Sequence, residues 1–208
     1  MNPTLGGLIL AGGQGSRMGY VNKGLQPWFT GRLIHPALQV LQQECAHVAI
    51  SANHDVPLYQ TMGVEVWPDA PQWVGCGPLA GVISSVAQFP KQIETIQILP
   101  CDAPLLSTRV VKRLNEVLQD STAPAVYAQT RGQTHPVICQ LRRETLVHLA
   151  AFLQQTGKHS IRRWLMQLGA EAVWFEDESE FANVNDVATL KTLQMTTSRK
   201  ECDGLDVI

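Results

Sequence analysis

Residues 6–25 read GGLILAGGQGSRMGYVNKGL, an apolar stretch that leads into a cluster of glycines and then to two cations. The apolar part, residues 7–11, has the length and the side chains of a buried β-strand. The glycines after it allow main-chain N–H groups to approach a ligand closely, and successive inward-pointing N–H groups form an anion site. Arg17 and Lys23 add positive charge, so the segment predicts a strand followed by a phosphate-binding loop.

Other glycine-rich loops fit this spacing less well. A P-loop, G-x-x-x-x-G-K-[ST], requires Ser or Thr after the lysine, whereas Gly24 follows Lys23 here. A dinucleotide fingerprint, G-x-G-x-x-G, requires a glycine where this sequence has Met18, and it requires an acidic ribose ligand about 20 residues further on, which is missing. A flexible glycine turn with two solvated cations is the alternative without a function.

Strand-like apolar stretches alternate with amphipathic helical ones along the rest of the chain. After the first strand, strands are predicted at residues 48–52, 64–67, 96–99, 125–128, 136–141 and 172–175. Helices are predicted within residues 32–45, 78–89, 107–120, 143–155, 160–168 and 187–195. Most strands are apolar on both faces, which is typical of a parallel sheet covered by helices on both sides. The pattern predicts a doubly wound α/β fold, one domain over residues 1–195, and a flexible tail over residues 196–208.

The composition disfavours several functional classes. Sixteen Lys and Arg against 18 Asp and Glu give a net charge of −2, which offers no basic field to nucleic acid or to a membrane surface. Five scattered cysteines without a C-x-x-C pair indicate reduced thiols and disfavour a zinc site. No apolar stretch approaches the roughly 20 residues of a membrane span, and no basic leader is present. We therefore expect a cytoplasmic protein.

Ligands of a doubly wound sheet bind beyond the carboxyl ends of its strands, so polar residues there are candidate ligands. Asp102 ends the apolar strand of TIQILPCD, at the same edge as the glycine loop. A carboxylate at this point is well placed to hold Mg²⁺ between phosphate oxygens. An aspartate here can instead cap the next helix, but Ser107 and Thr108 are predicted to cap that helix. We therefore favour a metal ligand.

Other polar residues at strand ends have ordinary structural explanations beside functional ones. Asn53 follows the second strand and Asp69 the third, where either residue can contact a nucleoside or form a turn. Asn185 lies in FANVND before the last helix, and either it or Asp186 can be the N-cap. His135, a lone histidine before a proline, is more often structural than catalytic.

Taken together, these motifs resemble one family. The segments LILAGGQGSRMGYVNKGL, ISAN, VWPDA, GPLAG, ILPCDAP, HPV and FANVND are similar, in this order over residues 5–195, to the molybdenum cofactor guanylyltransferases, or MobA proteins. The resemblance implies a three-layer Rossmann-like nucleotidyltransferase fold with a mostly parallel central sheet. It also implies a GTP-binding N-terminal half and a pterin-binding C-terminal half.

The resemblance further implies that GMP is transferred from GTP to the terminal phosphate of molybdopterin carrying molybdenum, with release of pyrophosphate and with Mg²⁺ as cofactor. The implied partners are GTP and molybdopterin, with transient contacts to other proteins of cofactor biosynthesis and to target apoenzymes. The acceptor phosphate attacks the α-phosphorus in line and is already ionised, so no general base is needed. The loop N–H groups, Arg17, Lys23 and Mg²⁺ on Asp102 stabilise the charge on the leaving pyrophosphate.

Roles for individual residues follow from the matching motifs. The residues that would line the guanine and ribose are Leu10, Ala11, Gly12 and Gly13. Lys23 would contact the phosphates, Asp69 the nucleoside and Asp102 the Mg²⁺. Asn183 and Asn185 match paired asparagines that the family places on the pterin side.

Two positions depart from the family pattern. The family often has asparagine where this chain has Ser51, so either Ser51 or Asn53 is the nucleotide contact. An acidic residue often precedes the lysine, and here that residue is Asn22.

Three alternative functions remain. The first is a molybdopterin cytidylyltransferase or another sugar- or alditol-phosphate nucleotidyltransferase. Cytidylyl relatives usually carry LAAG where residues 10–13 are LAGG, and the smaller glycine leaves room for the larger guanine. The second is a nicotinamide-dependent oxidoreductase, which the missing ribose carboxylate disfavours. The third is a catalytically silent nucleotide-binding module, which the intact Lys23 and Asp102 disfavour.

Overall fold

A computed structural model of the chain describes residues 2–12, 14–15, 21–155 and 160–203. Its strands are β1 (Asn2–Leu10), β2 (Gln14–Gly15), β3 (Val21–Asn22), β4 (Pro27–Trp28), β5 (Gly31–Arg32), β6 (Cys45–Ser51), β7 (Glu65–Trp67), β8 (Thr95–Pro100), β9 (Ala125–Gln129), β10 (Thr134–Arg142) and β11 (Glu171–Trp174). Its helices are α1 (His35–Glu44), α2 (Val56–Gln60), α3 (Pro78–Val86), α4 (Thr108–Asp120), α5 (Leu146–Gln155), α6 (Ile161–Leu168) and α7 (Val187–Asp203).

A seven-stranded sheet in the order β11-β9-β10-β8-β1-β6-β7 forms the centre of the fold. β1 pairs in parallel with β6 and with β8, and β7 continues the parallel arrangement on β6. β10 is antiparallel to β8 and β9, whereas β11 is parallel to β9. The seven strands predicted from the sequence and the mostly parallel sheet are thereby confirmed.

One edge of this sheet collects the carboxyl ends of the parallel strands and the amino end of β10. We call it the carboxyl edge; its strand-end residues are Leu10, Ser51, Trp67, Pro100, Gln129, Thr134 and Trp174. Two short antiparallel pairs, β2 with β3 and β4 with β5, belong to the segment that follows β1. The carboxyl edge is therefore where the residues after β1 meet those after β8.

Side chains of the central strands alternate between the two faces of the sheet. Leu8 of β1 packs with α3, α5 and α6 on one face, and Ile9 packs with α1 and α4 on the other. In β8, Ile98 and Leu99 divide between the same two faces. All four side chains are buried, and burial of such a side chain contributes about 1.5–3 kcal/mol each. This layering explains why the strands are apolar on both faces.

Two helix termini differ from the sequence-based expectation. Ser107 is the N-cap residue of α4, yet no capping hydrogen bond forms between its side chain and this helix, which is described in full. Its hydroxyl instead lies 3.4 Å from both carboxylate oxygens of Glu180, so Ser107 occupies the predicted N-cap position but its side chain does not make the expected capping bond. α7 continues beyond Met195 to Asp203, so the first part of the expected tail is helical.

α7 packs onto the region around β4 and β5. Leu190 and Leu193 of this helix share a small apolar cluster with Trp28 and Leu33. Within the described part of the chain, no helix combines the length and the apolarity that a membrane crossing requires. The C-terminal helix is thus held on the same side of the molecule as the segment that carries Lys23.

The packing of α3 on β6 gives a test of the fold. A Cβ added to Gly81 would collide with Ser51 Oγ and come within 3.3 Å of Leu10 Cδ2. Replacing glycine by alanine in an open helix stabilises it by about 0.5–1 kcal/mol. We expect Gly81→Ala instead to lower the free energy of unfolding by about 1–3 kcal/mol, because the site is overpacked.

Denaturant titration measures this change. The double variant Ser51→Ala/Gly81→Ala removes the colliding hydroxyl and should recover most of the lost stability. A Gly81→Ala protein that is more stable than the wild type would contradict the packing described.

Candidate active site

A cavity of about 700 Å³ opens at the carboxyl edge, within the range of about 300–1,000 Å³ that is usual for small-molecule sites. The predicted site residues that line it are Leu10, Gly12, Lys23, Asn53, Asp69, Asp102 and Asn183. Ala11 is buried beside them, and its N–H donates to the carbonyl of Ser51 at 2.9 Å. Gly13 and Arg17 lie outside the described residues.

The Lys23 ammonium group lies between two acceptors at the end of β8. Its Nζ is 3.0 Å from Asp102 Oδ2 and 3.1 Å from Asn185 Oδ1. The Lys23 and Asp102 side chains are 20% and 16% exposed, so solvent screens this ion pair less than a surface pair. The N–H of Val184 donates to the Asp102 carbonyl at 2.8 Å, which fixes the segment of Asn185 beside the strand end.

Asp186 provides the N-terminal cap of α7. Its Oδ1 accepts a hydrogen bond from the N–H of Thr189 at 2.7 Å. Of the two cap candidates in FANVND, Asp186 therefore caps the helix, and the Asn185 amide is available to Lys23. The sequence placed Asn185 near the last helix but gave no sign that it contacts the lysine.

Asn53 and Asp69 bind each other across the ends of β6 and β7. Asn53 Oδ1 accepts from the N–H of Asp69 at 2.8 Å, and Asn53 Nδ2 donates to Asp69 Oδ2 at 2.8 Å. The pair thus connects two strand ends, as a turn former does, and also lines the cavity. Ser51 lines the cavity as well but is buried. Gly12 faces the pair, since a Cβ there would lie 3.3 Å from Asn53 Nδ2.

The N-terminus of α3 forms another part of the cavity wall. Gly77 precedes the helix with φ 64° and ψ −150°, a conformation that is accessible only to glycine. Gly77 and Pro78 both line the cavity. The first N–H groups of a helix and its dipole favour anions, so this wall adds to the positive potential from Lys23.

A second cavity of about 430 Å³ shares Gln133, His135 and Asn183 with the first. The His135 side chain is 6% exposed, and its ring stacks on Phe181 with centroids 4.7 Å apart. Its Nε2 lies 3.1 Å from Thr130 Oγ1. Burial lowers the pKa of His135 below its ordinary value, although the nearby Glu178 carboxylate opposes this shift. A neutral imidazole therefore forms part of the wall between the two cavities.

Sequence reasoning gave His135 little weight because a lone histidine before a proline is more often structural than catalytic, and it did not establish the direction of β10. The antiparallel strand brings its amino end, residues 134–138, into the cavity wall, together with Gln133 before it. A signal was present, since only residues 130–133 connect β9 to β10, and a parallel crossover needs about a dozen residues or more. A hairpin was thus the sole option for this connection.

The mostly parallel sheet with helices on both faces is the Rossmann-like fold of nucleotidyltransferases, and its carboxyl edge joins a strand-end aspartate, a lysine and a helix N-terminus. The chain belongs to the family of MobA-like NTP transferase domains, and the model of this family matches residues 7–172. Nucleotidyltransferases of this family typically use a divalent metal ion.

Similar proteins agree with this assignment. A molybdenum cofactor guanylyltransferase from Ralstonia nicotianae is 36% identical over 205 residues, which cover 93% of this chain and 98% of that protein. One from Bordetella petrii is 37% identical over 192 residues, which cover 90% and 95%. The crystal structure of molybdopterin-guanine dinucleotide biosynthesis protein A from Archaeoglobus fulgidus has a TM-score of 0.74 at 17% identity, covers 93% of this chain and 99% of its own, and shares the fold.

The burial of His135 predicts a pH-dependent stability. Because the folded-state pKa is lowered, the unfolded chain takes up a proton near pH 6.5 that the folded chain does not. The free energy of unfolding should therefore fall as the pH falls below about 6.5, by less than about 1.4 kcal/mol per pH unit.

Denaturant titrations between about pH 7.5 and about pH 5, a range that spans the unfolded-state pKa of about 6.5, measure the slope. His135→Gln should flatten it, and His148→Gln, in an exposed position of α5, controls for the loss of a histidine. Equal slopes for His135→Gln and the wild type would contradict the burial of a neutral imidazole.

Proposed function

We propose that this enzyme transfers GMP from GTP to molybdopterin carrying molybdenum and releases pyrophosphate. The observation that carries the proposal is the Lys23 ammonium 3.0 Å from the Asp102 carboxylate, at the carboxyl edge and inside the larger cavity. The curated relatives with this activity in their names cover nearly the whole chain, which supports this substrate pair.

The proposed nucleotide position follows the cavity wall. Leu10, Gly12 and the Asn53–Asp69 pair would surround the base and ribose, and Lys23 would contact the phosphates. Ala11 would support this wall from below, through its hydrogen bond to β6. On the strength of the sequence motif alone, the proposal retains Gly13 beside the guanine and ribose and Arg17 on the phosphate side.

Asp102 is the proposed ligand of Mg²⁺. Among the described residues no group of three or more His, Cys, Asp or Glu could hold a metal ion. Mg²⁺ does not require such a group, since it is usually bound by one or two carboxylates together with substrate phosphates and water. A carboxylate accepts about four hydrogen bonds or ligands, so the bond to Lys23 leaves Asp102 able to hold a cation. When bound, the ion neutralises phosphate charge.

The protein's own groups account for the remaining chemistry. Lys23 stabilises the negative charge that develops on the leaving pyrophosphate, and Asn185 orients the ammonium group through the bond at 3.1 Å. The acceptor phosphate enters from the second cavity, where Asn183 and Asn185 form part of the wall. Asn185 therefore lies on the proposed pterin side and next to the lysine at once, and Asn183 lines both cavities. Positioning and electrostatics supply the catalysis.

Loss of the Asp102 carboxylate tests this arrangement. We expect Asp102→Ala to lower turnover by about 10²-fold or more, as removal of a key electrostatic group does. The assay incubates the enzyme with labelled GTP, Mg²⁺ and molybdopterin and measures the guanine dinucleotide product. Asp120→Ala, at the end of α4 and outside the cavity lining, is the matched control. Near-normal turnover of Asp102→Ala would remove the metal assignment.

Base preference tests the choice between guanine and cytosine. We expect GTP with Mg²⁺ to raise the melting temperature more than CTP or UTP does. Gly12→Ala would press on the Asn53 amide, 3.3 Å from the added Cβ, and should weaken GTP binding about tenfold, or about 1.4 kcal/mol, with less effect on CTP. Stronger stabilisation of the wild type by CTP would favour the cytidylyltransferase alternative.

A further inference from the structure

The geometry points to Tyr59 as a positioning residue for Lys23. We propose that the buried Tyr59 hydroxyl fixes the main chain on both sides of Lys23 and so holds the ammonium group against Asp102. The turnover part of this inference rests on the proposed function, whereas the placement of the lysine can be measured without it. In the described part of the chain, Tyr59 lies outside the lining of both cavities discussed above.

The residue before Lys23 is tied to Tyr59. Tyr59 belongs to α2 and is completely buried, and its hydroxyl donates to Asn22 Oδ1 at 2.5 Å. The other end of the same amide, Asn22 Nδ2, donates to Asp55 Oδ2 at 3.3 Å. The Asn22 carbonyl accepts from Gln26 Nε2 at 3.2 Å. Both side-chain ends and the carbonyl of Asn22 are therefore held.

Gly24, the residue after Lys23, packs against the same Tyr59 hydroxyl. A Cβ added to Gly24 would come within 2.7 Å of Tyr59 Oη and 3.2 Å of Cys101 Cβ. The main chain at Gly24 therefore packs directly on the phenol and on the residue that precedes Asp102. The Gly24 carbonyl also accepts from the N–H of Ile34 at 3.1 Å. Lys23, the first residue of the 3₁₀ turn Lys23–Leu25, thus lies between two residues, Asn22 and Gly24, that both contact the Tyr59 hydroxyl.

The hydroxyl can act only as a protonated donor in this setting. Burial raises the pKa of Tyr59 well above its ordinary value, and the carboxylate of Asp55 acts in the same direction. The phenol therefore stays neutral and keeps donating to Asn22 across the working pH range. Asn22 is half-buried, so water can replace the donor when it is lost, and the fold can survive while the lysine is released.

Tyr59→Phe removes one oxygen atom and tests the inference. Displacement of a catalytic group by about 1 Å can lower the rate about 10²-fold, and we expect kcat for guanylyl transfer to fall about 10- to 100-fold. We expect the KM for GTP to change less than about threefold, since contacts to the base and ribose are untouched. Tyr127→Phe, a half-buried tyrosine on β9, is the matched control.

A double-mutant cycle separates positioning from general destabilisation. Asn22→Ala should reproduce most of the loss in kcat, and Tyr59→Phe should add less than about twofold in that background, because residues that act as a unit are non-additive. If Tyr59→Phe fails to fold, Asn22→Ala alone carries the same prediction. Additive losses in the cycle would overturn the proposed route through Asn22.

A second readout does not depend on turnover. Labelling with an amine-reactive reagent, followed by peptide mass spectrometry, reports how freely the Lys23 amine reacts. We expect Tyr59→Phe to raise the Lys23 labelling rate several-fold, with Lys112, a surface lysine near Glu44, as the internal reference. Wild-type protein that forms no guanine dinucleotide would refute the proposed function and leave this measurement valid. An unchanged Lys23 rate, or a lower melting temperature with unchanged kcat, would overturn the positioning role.

Discussion

The parallel pairing of β1 with β8 is the constraint on which the site depends. Leu10 faces Pro100 in this register, and the N–H of Cys101 still donates to the Leu10 carbonyl at 3.3 Å. The residues that follow the two strands therefore leave the sheet side by side. Lys23 and Asp102, which are 79 positions apart in the chain, become neighbours for this reason. Every residue of β8 is buried, so the strand that precedes Asp102 is held by packing on both faces of the sheet.

The positive charge of Lys23 is largely balanced by the Asp102 carboxylate beside it. An ammonium group has three N–H donors, and Lys23 directs two of them at Asp102 and Asn185. One donor is left for a phosphate oxygen, and the N-terminus of α3 offers further N–H groups across the cavity. The overall charge of −2 gives no attraction for an anion. Binding of a triphosphate must therefore depend on these local groups and on the cation it brings.

The features that could be predicted from the sequence are those that the local pattern of apolar and polar residues determines. Apolar runs located the seven strands, and the rule that carboxyl ends share an edge placed Lys23, Asn53, Asp69 and Asp102 at one cavity. Prediction from the sequence failed where a residue far away in the chain determines which hydrogen bond a side chain makes. Glu180 engages the hydroxyl that was expected to cap α4, and no periodicity reveals such a competitor. The roles of Arg17 and Gly13 stay predictions from the motif.

The contact between Asn185 and Lys23 could not be predicted for a related reason. FANVND reads as a helix start, and Asp186 does cap α7, so the local pattern is fully explained without the lysine. The contact arises because the N–H of Val184 bonds to the carbonyl of Asp102. A main-chain bond of this kind carries no side-chain signature, and it depends on where the chain leaves the end of β8.

The position of the Lys23 ammonium group is fixed by contacts between its neighbouring main chain and the apolar core. Tyr59 and Cys101 belong to the apolar cluster that α1 and α4 form on one face of the sheet. Burial raises the pKa of the Cys101 thiol to about 12, so at neutral pH this side chain is an uncharged packing group beside Asp102. Gly24 packs against both residues, which leaves no room for a Cβ between the lysine turn and the core. A polar site at the carboxyl edge thus takes its geometry from the same buried contacts that stabilise the sheet.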